Sequence, residues 1–203
     1  MSDQSAATDS NRLRLLGFSL TVFLSSAALL VLEILAGRLL APHIGVSLYT
    51  WTSIIGVILA GLSLGNWLGG VWADRGADGR VAGVAMALAG IYAILALPLM
   101  DGLGNLLAAQ QVGLLGSSFV FAFTLFAPPA VAIGIVTPLL TTRALDLDPR
   151  AGHVVGRMHA LAAIGSIVGT FATGYWLVQS FGSRAILFGT GVGLILLAAP
   201  FLL

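Results

Sequence analysis

The chain has 203 residues, 58% of them hydrophobic and only 8% charged, with no Lys, no Cys and a net charge of +1. Its mean hydropathy is +1.03, whereas a soluble domain carries about a quarter charged residues, so an ordinary soluble enzyme is excluded. The absence of Cys excludes disulfides and thiol chemistry without fixing a compartment, and no basic-aromatic surface points to nucleic acid.

Residues 1–11, MSDQSAATDSN, are the only polar stretch long enough for a disordered cytoplasmic tail. The remainder, 12–203, reads as one membrane domain. A bilayer core about 30 Å thick takes about 20 apolar residues per helix. Six runs qualify, at about 15–38, 50–73, 81–100, 114–140, 157–179 and 185–203. The first follows Arg12 and Arg14 and contains Ser25-Ser26-Ala27-Ala28. It is longer than a signal-peptide core, so a retained span is expected.

Near the end of run 1 stand Glu33 and Arg38, five residues apart. Ionisable side chains within a span are costly and are functional candidates by default. Five residues place them about 140° apart around a helix. They do not share a face, so each is expected to find a partner on another helix. Glu33 is a candidate to carry a proton or attract a cation; the structural alternative is an interfacial pair.

Run 2 contains Gly61, Gly65, Gly69, Gly70 and Trp72, with Arg80 beyond it. Run 5 contains Gly165, Gly169, Gly174 and Trp176, with Arg184 beyond it. The pairs Gly61/Gly165, Gly65/Gly169, Gly70/Gly174, Trp72/Trp176 and Arg80/Arg184 all share an offset of 104 residues. That register suggests a repeat of three helices. An odd number makes the second copy enter from the opposite side, giving an inverted-topology repeat. Glycines four apart also serve simple close packing of helices.

Run 4 carries Pro128-Pro129, Gly134 and Pro138. Proline removes a backbone donor and clashes with the preceding turn, so a kinked or locally broken helix is expected, as a hinge or a static bend. In run 5 Tyr175, Trp176 and Gln179, with Asn66 in run 2, are candidate cavity-lining groups. Trp51, Trp67, Trp72 and Trp176 are equally suited to anchoring at the interface. His43, His153 and His159 share no face, and no metal site is expected. Arg143, Asp146, Asp148 and Arg150 form a mixed-charge connection, a solvated loop or a docking surface.

Arg12, Arg14, Arg75, Arg80, Arg143, Arg150 and Arg157 fall on one side of the six runs, and Arg38 and Arg184 on the other. The positive-inside rule then puts both termini in the cytoplasm, across the cell inner membrane.

The turn after run 2 reads GGVWADRGADGR. It resembles the signature between helices 2 and 3 of the major facilitator superfamily, with Gly70, Asp74, Arg75, Gly76 and Arg80 in its positions. Ala77-Asp78 departs as an apparent insertion. The resemblance implies that these residues form a cytoplasmic charge latch between two halves of a transporter. Snorkelling arginines on a tight turn are the plain alternative. Three further stretches are similar to the membrane half of bacterial fused major-facilitator/spermidine synthase proteins. They are LEILAGRLLAP with Gly45 and Tyr49-Thr50-Trp51, then Pro128…Gly134…Pro138, then VGRMHA with Gly165, Gly169 and Gly174.

This resemblance spans about residues 30–180. It implies an all-α integral membrane fold of six transmembrane helices, half of a major facilitator bundle with an inverted three-helix repeat. It also implies a transporter-like half that binds or moves a small metabolite, cationic polyamines being one class. Its partners would be the lipid bilayer and a second copy or another membrane half. Those synthases carry a Gly-rich cofactor loop between a strand and a helix. The comparable cluster here, Gly189, Gly191 and Gly193, lies inside an apolar run. No cofactor and no aminopropyl-transfer activity are therefore expected of these residues. The alternative function is a non-transporting scaffold for a separate cytosolic synthase-like enzyme.

Overall fold

The structure, a computed structural model, describes residues 2–148 and 150–203, with side chains from residue 11 onward. The described residues form six helical spans and no strand. They are α1 (Ser2–Ile44), α2 (Leu48–Asp74), α3 (Gly79–Ala109), α4 (Leu114–Leu145), α5 (Ala151–Ala172) and α6 (Ser183–Leu202). α5 continues through a π-helical turn, Thr173–Leu177, and a last turn, Val178–Ser180. Six segments, beginning in α1 at Asn11, are long and apolar enough to cross a membrane, so the chain is a multi-pass membrane protein. Residues 2–11, expected as a disordered tail, are instead the first turns of α1; Met1 lies outside the described residues.

The helix ends follow local chemistry. The Ser47 hydroxyl accepts from the Thr50 amide at 3.2 Å and starts α2. Asp78 accepts from the Arg80 amide at 3.0 Å and starts α3. Gly45 (φ 71°) ends α1 and Gly76 (φ 83°) ends α2, both in the left-handed region that Gly alone enters freely. The Ala77 amide reaches back to the Trp72 carbonyl at 2.9 Å, closing a Schellman turn. The Ala77-Asp78 that looked like an insertion is thus a turn residue and an N-cap.

Several spans outrun their expected limits. α1 passes position 38 and absorbs Pro42 in its last turn. α3 passes position 100 to Ala109, because Gly102 and Gly104 weaken a helix without stopping it. It stops at Gln111, whose φ of 52° occupies the left-handed position usually given to Gly.

Of the kink or local break expected in α4, the break is absent. The helix runs unbroken past Pro128, Pro129 and Pro138. Pro128 has no N–H for the carbonyl of Thr124, four residues earlier. The Tyr92 hydroxyl of α3 donates to that same carbonyl at 2.5 Å. A neighbouring helix thus supplies the donor, as hydrocarbon requires. The irregular helix is α5 instead, with its π-turn.

Packing is set by small residues. A Cβ at Gly61 would lie 3.2 Å from the Ala127 carbonyl oxygen, and at Gly65 it would strike the Val131 carbonyl. At Gly69 it would lie 2.6 Å from the Ile135 carbonyl oxygen. On the other side, Gly165 and Gly169 press against the carbonyls of Phe23 and Ala27 in the same way. Within each pair both residue numbers rise together, so α2 runs parallel to α4 and α5 runs parallel to α1. The two sets of partners match: 127 and 23, and 131 and 27, are each 104 apart, like the glycines that meet them. α3 crosses α6 where Gly90 and Gly191 each face the other's carbonyl. Gly174, unlike the glycines at these helix crossings, would have no atom within 4 Å of a Cβ. Thr173, one residue earlier, is the buried one.

The resulting order across one side of the bundle is α2, α4, α1, α5, each in contact with the next, with α3 and α6 packed together behind.

Candidate functional site

The side chains on the open side of this row form a cavity of about 530 Å³. α1 contributes Ser26, Leu29 and Leu30, and α2 contributes Leu62 and Asn66. α4 contributes Ile133, Thr137, Pro138, Thr141 and Thr142, and α5 contributes His159, Ala162, Ala163 and Ser166. Seven of these carry a side-chain hydroxyl, amide or imidazole. Their positions fall from mid-span toward the Arg-rich ends of the helices. At the opposite end Gly37 of α1 closes directly on the Trp51 indole, with 2.6 Å from its Cβ position to the ring.

The cavity is poor in charge and rich in acceptors. The Thr141 hydroxyl donates to the Thr137 carbonyl at 2.7 Å. The Thr142 hydroxyl donates to the Pro138 carbonyl at 3.1 Å. Both protons are spent on the helix, which leaves the oxygen lone pairs for a ligand. Asn66 adds two amide donors and a carbonyl, and His159 is the only titratable group in the lining. Such a surface suits a small molecule carrying N–H or O–H groups.

A larger hollow, about 810 Å³, lies between α2, α3 and α4. Its lining is Phe119, Phe123, Val131 and other apolar groups, with Tyr92 and Thr124 already joined to each other. In a bilayer such a groove is filled by acyl chains at no cost. A stripe of hydroxyl and amide groups is not, which is why the polar cavity is the candidate site.

Glu33 stands two turns beyond Ser26 on the same stripe of α1, about 10 Å along the axis. It is half-buried, does not line the cavity and forms no ion pair among the described residues. Arg38 is exposed and likewise has no acidic partner among them. Of the other sequence candidates, Asn66 lines the cavity, whereas Tyr175 and Gln179 stand at the far end of α5, away from it. Tyr175 tilts against Phe171 and Trp176 against Phe181, in an exposed aromatic cluster. Pro138 lines the cavity, Pro128 borders the apolar groove, and Pro129 and Gly134 are buried within α4.

At the Arg-rich end, Asp74, Arg75 and Arg80 are exposed and make no ion pair among the described residues. Gly70 meets nothing within 4 Å, and Gly76 is needed for its positive φ. The residue that ties this end together is Arg143. Its guanidinium donates to the Gly76 carbonyl at 3.0 Å and to the Ala77 carbonyl, and pairs with Asp146 at 3.3 Å. Sequence reading saw Arg143 only as a loop charge. It stands instead in the last turn of α4, which runs on past the expected end near 140, and its target, a turn 66 residues away, was not legible either.

Asp148 accepts from the Arg150 guanidinium at 2.8 Å and from the Arg150 amide at 3.0 Å. The Arg150 side-chain hydrogen bond is the main reason its carboxyl falls from 3.8 to about 2; the backbone bond adds to it. Ser26, Thr137, Thr141, Thr142 and Ser166 were not singled out from sequence. The faint signal is helical spacing on one face: Thr137 and Thr141 four apart on α4, and His159 and Ser166 seven apart on α5.

Among the described residues no three His, Asp or Glu side chains converge on a metal-sized site. No family model, no curated protein and no solved structure matches this chain.

Proposed function

We propose that the chain is half of a transporter, binding a small hydrogen-bonding metabolite in the cavity between α1, α2, α4 and α5. The observation that carries this reading is the seven-membered polar lining that runs from mid-span toward the Arg-rich end of an otherwise apolar bundle. Intramembrane polar groups are expensive, and they face a water-filled path or a protein partner. Four helices line the cavity on one side only, so a second half is needed to enclose it. The matched glycine contacts at an offset of 104 support reading the six helices as an inverted pair of three, as in a half of a major facilitator bundle. The resemblance to fused major-facilitator/spermidine synthases makes polyamines the first substrates to test. Glu33, on the cavity stripe, is the candidate proton or cation group. Both termini lie in the cytoplasm in this reading, and the membrane is the inner one. The chain itself performs no covalent chemistry.

The test is uptake of labelled spermidine by protein reconstituted in liposomes, with Asn66→Leu and Glu33→Gln as variants. Asn66→Leu removes two donors and an acceptor from the cavity and abolishes uptake in this reading. Glu33→Gln removes its pH dependence. Uptake by folded Asn66→Leu at the parent rate refutes the cavity as the site.

One observation favours a second reading. Arg143 fastens the α4 end to the α2–α3 turn, and Arg150 fastens Asp148, giving an ordered charged platform. A separate synthase-like enzyme docking there makes the protein a scaffold. Co-purification of such an enzyme, lost on charge reversal within 143–150, supports it. An intact complex after that reversal counts against it.

A further inference from the structure

The cluster Gly189, Gly191 and Gly193 serves two faces of α6. Gly191 closes on the Gly90 carbonyl of α3. Gly189 and Gly193 turn the other way, about one helical turn apart, and nothing lies within 4 Å of a Cβ at either. They leave a trough in a surface that side chains otherwise make convex. The trough is the floor of a groove in two stretches, about 340 Å³ beside the end of α5 and about 510 Å³ beside α1, and Thr190 lies in both.

We propose that this groove holds one acyl chain of a bilayer phospholipid, with the lipid phosphate at the first turn of α6. The site stands whether or not the polar cavity carries a solute. Its walls suit hydrocarbon: Leu24, Val31, Leu177 and Leu197 line it. Its one hydroxyl, that of Thr190, already donates to the Ile186 carbonyl at 2.8 Å. Its length suits one leaflet. From Ala185 at the mouth to Leu197 at the inner end α6 rises about 18 Å, and one leaflet supplies half of a hydrocarbon core about 30 Å thick. The mouth lies at headgroup level, where Trp176 meets Phe181 edge to face.

Charge at the mouth selects a phospholipid over a neutral chain or a neighbouring helix. α6 starts at Gly182, which has no side chain to cap the first-turn amides. Such amides suit phosphate oxygens. Arg184 stands in the same turn. It donates to Asp101 at 3.3 and 3.5 Å through Nη2 alone, which leaves Nε and Nη1 for an anion. An apolar helix laid in the trough would make no use of these donors.

The test is native mass spectrometry of the full chain in detergent, titrated with phosphatidylglycerol. The parent is expected to keep one phosphatidylglycerol under activation that strips any others. Gly189→Leu with Gly193→Leu fills the trough and should weaken that first adduct about tenfold. Arg184→Gln should weaken it about fivefold. Gly56→Leu is the control; it faces open space in the apolar groove between α2, α3 and α4, and should leave the adduct unchanged. If the glycine pair fails to fold, Thr190→Phe, set in both stretches of the groove, replaces it. An undiminished adduct in folded groove variants, or an equal loss in Gly56→Leu, overturns the site. Diacylglycerol with the same chains lacks the phosphate and should not be retained; equal retention overturns the assignment to a phospholipid. A membrane protein held by the parent in place of lipid, and lost with the glycine pair, would make the trough a helix-docking face and overturn it as well.

Discussion

Tyr92→Phe deletes one oxygen, and its cost can be worked from a single hydrogen bond. The Tyr92 hydroxyl is bonded at 2.5 Å to the Thr124 carbonyl, the group left without a helical donor by Pro128. Interhelical hydrogen bonds in membranes average about 0.6 kcal/mol and reach about 1.7 kcal/mol. An orphaned buried acceptor costs about 1–3 kcal/mol. Both effects act here, so the expected loss is about 1–2 kcal/mol. The decisive step is the double variant. Pro128→Ala restores an N–H to the Thr124 carbonyl from within α4, so Tyr92→Phe in that background strips a donor that is no longer needed. The cycle should show a coupling of about 1 kcal/mol, read by reversible unfolding in mixed micelles. Equal losses in the two backgrounds would refute the argument that Tyr92 stands in for the missing amide.

Gly65→Ala and Gly165→Ala each force a methyl onto a carbonyl, of Val131 and Phe23, and should each lose about 1–3 kcal/mol in the same assay; Gly174→Ala, facing open space, should change stability by no more than about 0.5 kcal/mol. Gln111→Gly relieves a left-handed residue and should add about 1 kcal/mol to thermal stability; a loss there would mean that the Gln side chain matters more than its backbone. Asp148 has a lowered carboxyl value, so its pairing with Arg150 persists below the ordinary carboxylate range and is lost as pH falls through about 2. Protection of the Arg150 amide, taken as its hydrogen-exchange rate relative to the intrinsic rate at each pH, should persist at about pH 4 and be lost only toward about pH 2; no protection at about pH 4 would contradict the pairing.

The sequence was most legible where the bilayer restricts the choices. Six apolar runs can do little but span, and their centres stand where expected. Gly61, Gly65, Gly165 and Gly169 were readable because close helix approach requires a residue without a Cβ at a fixed spacing. The same reasoning misassigned Gly174, which stands five residues after Gly169 rather than four and, like Gly70 in α2, faces open space; the buried position is Thr173. The reciprocal Gly90 and Gly191 escaped notice because their offset of 101 differs from that of the other pairs. In α4 the prolines allowed a kink or a local break, and the break does not occur: it depends on whether a neighbour supplies a missing donor, and Tyr92 lies 32 residues from the carbonyl it serves. The cavity was hardest to foresee. It is built from single Ser, Thr and Asn side chains on four helices, and only their convergence distinguishes them from residues bonded to their own backbone. Charge drew attention to Glu33 and Arg38 instead, which stand beyond the lining on the same helix.

The account rests on the cavity being a wetted pocket within the membrane, and impermeant thiol labelling reads this most directly. Thr141→Cys, in the lining, and Leu88→Cys, on the lipid-facing back of α3, would be exposed in turn to a membrane-impermeant maleimide from the Arg-rich side. The account predicts rapid labelling of Thr141→Cys, slowed by spermidine, and no labelling of Leu88→Cys. Equal protection of the two positions would mean that the polar stripe is sealed within the bundle, and the cavity would not be the functional site.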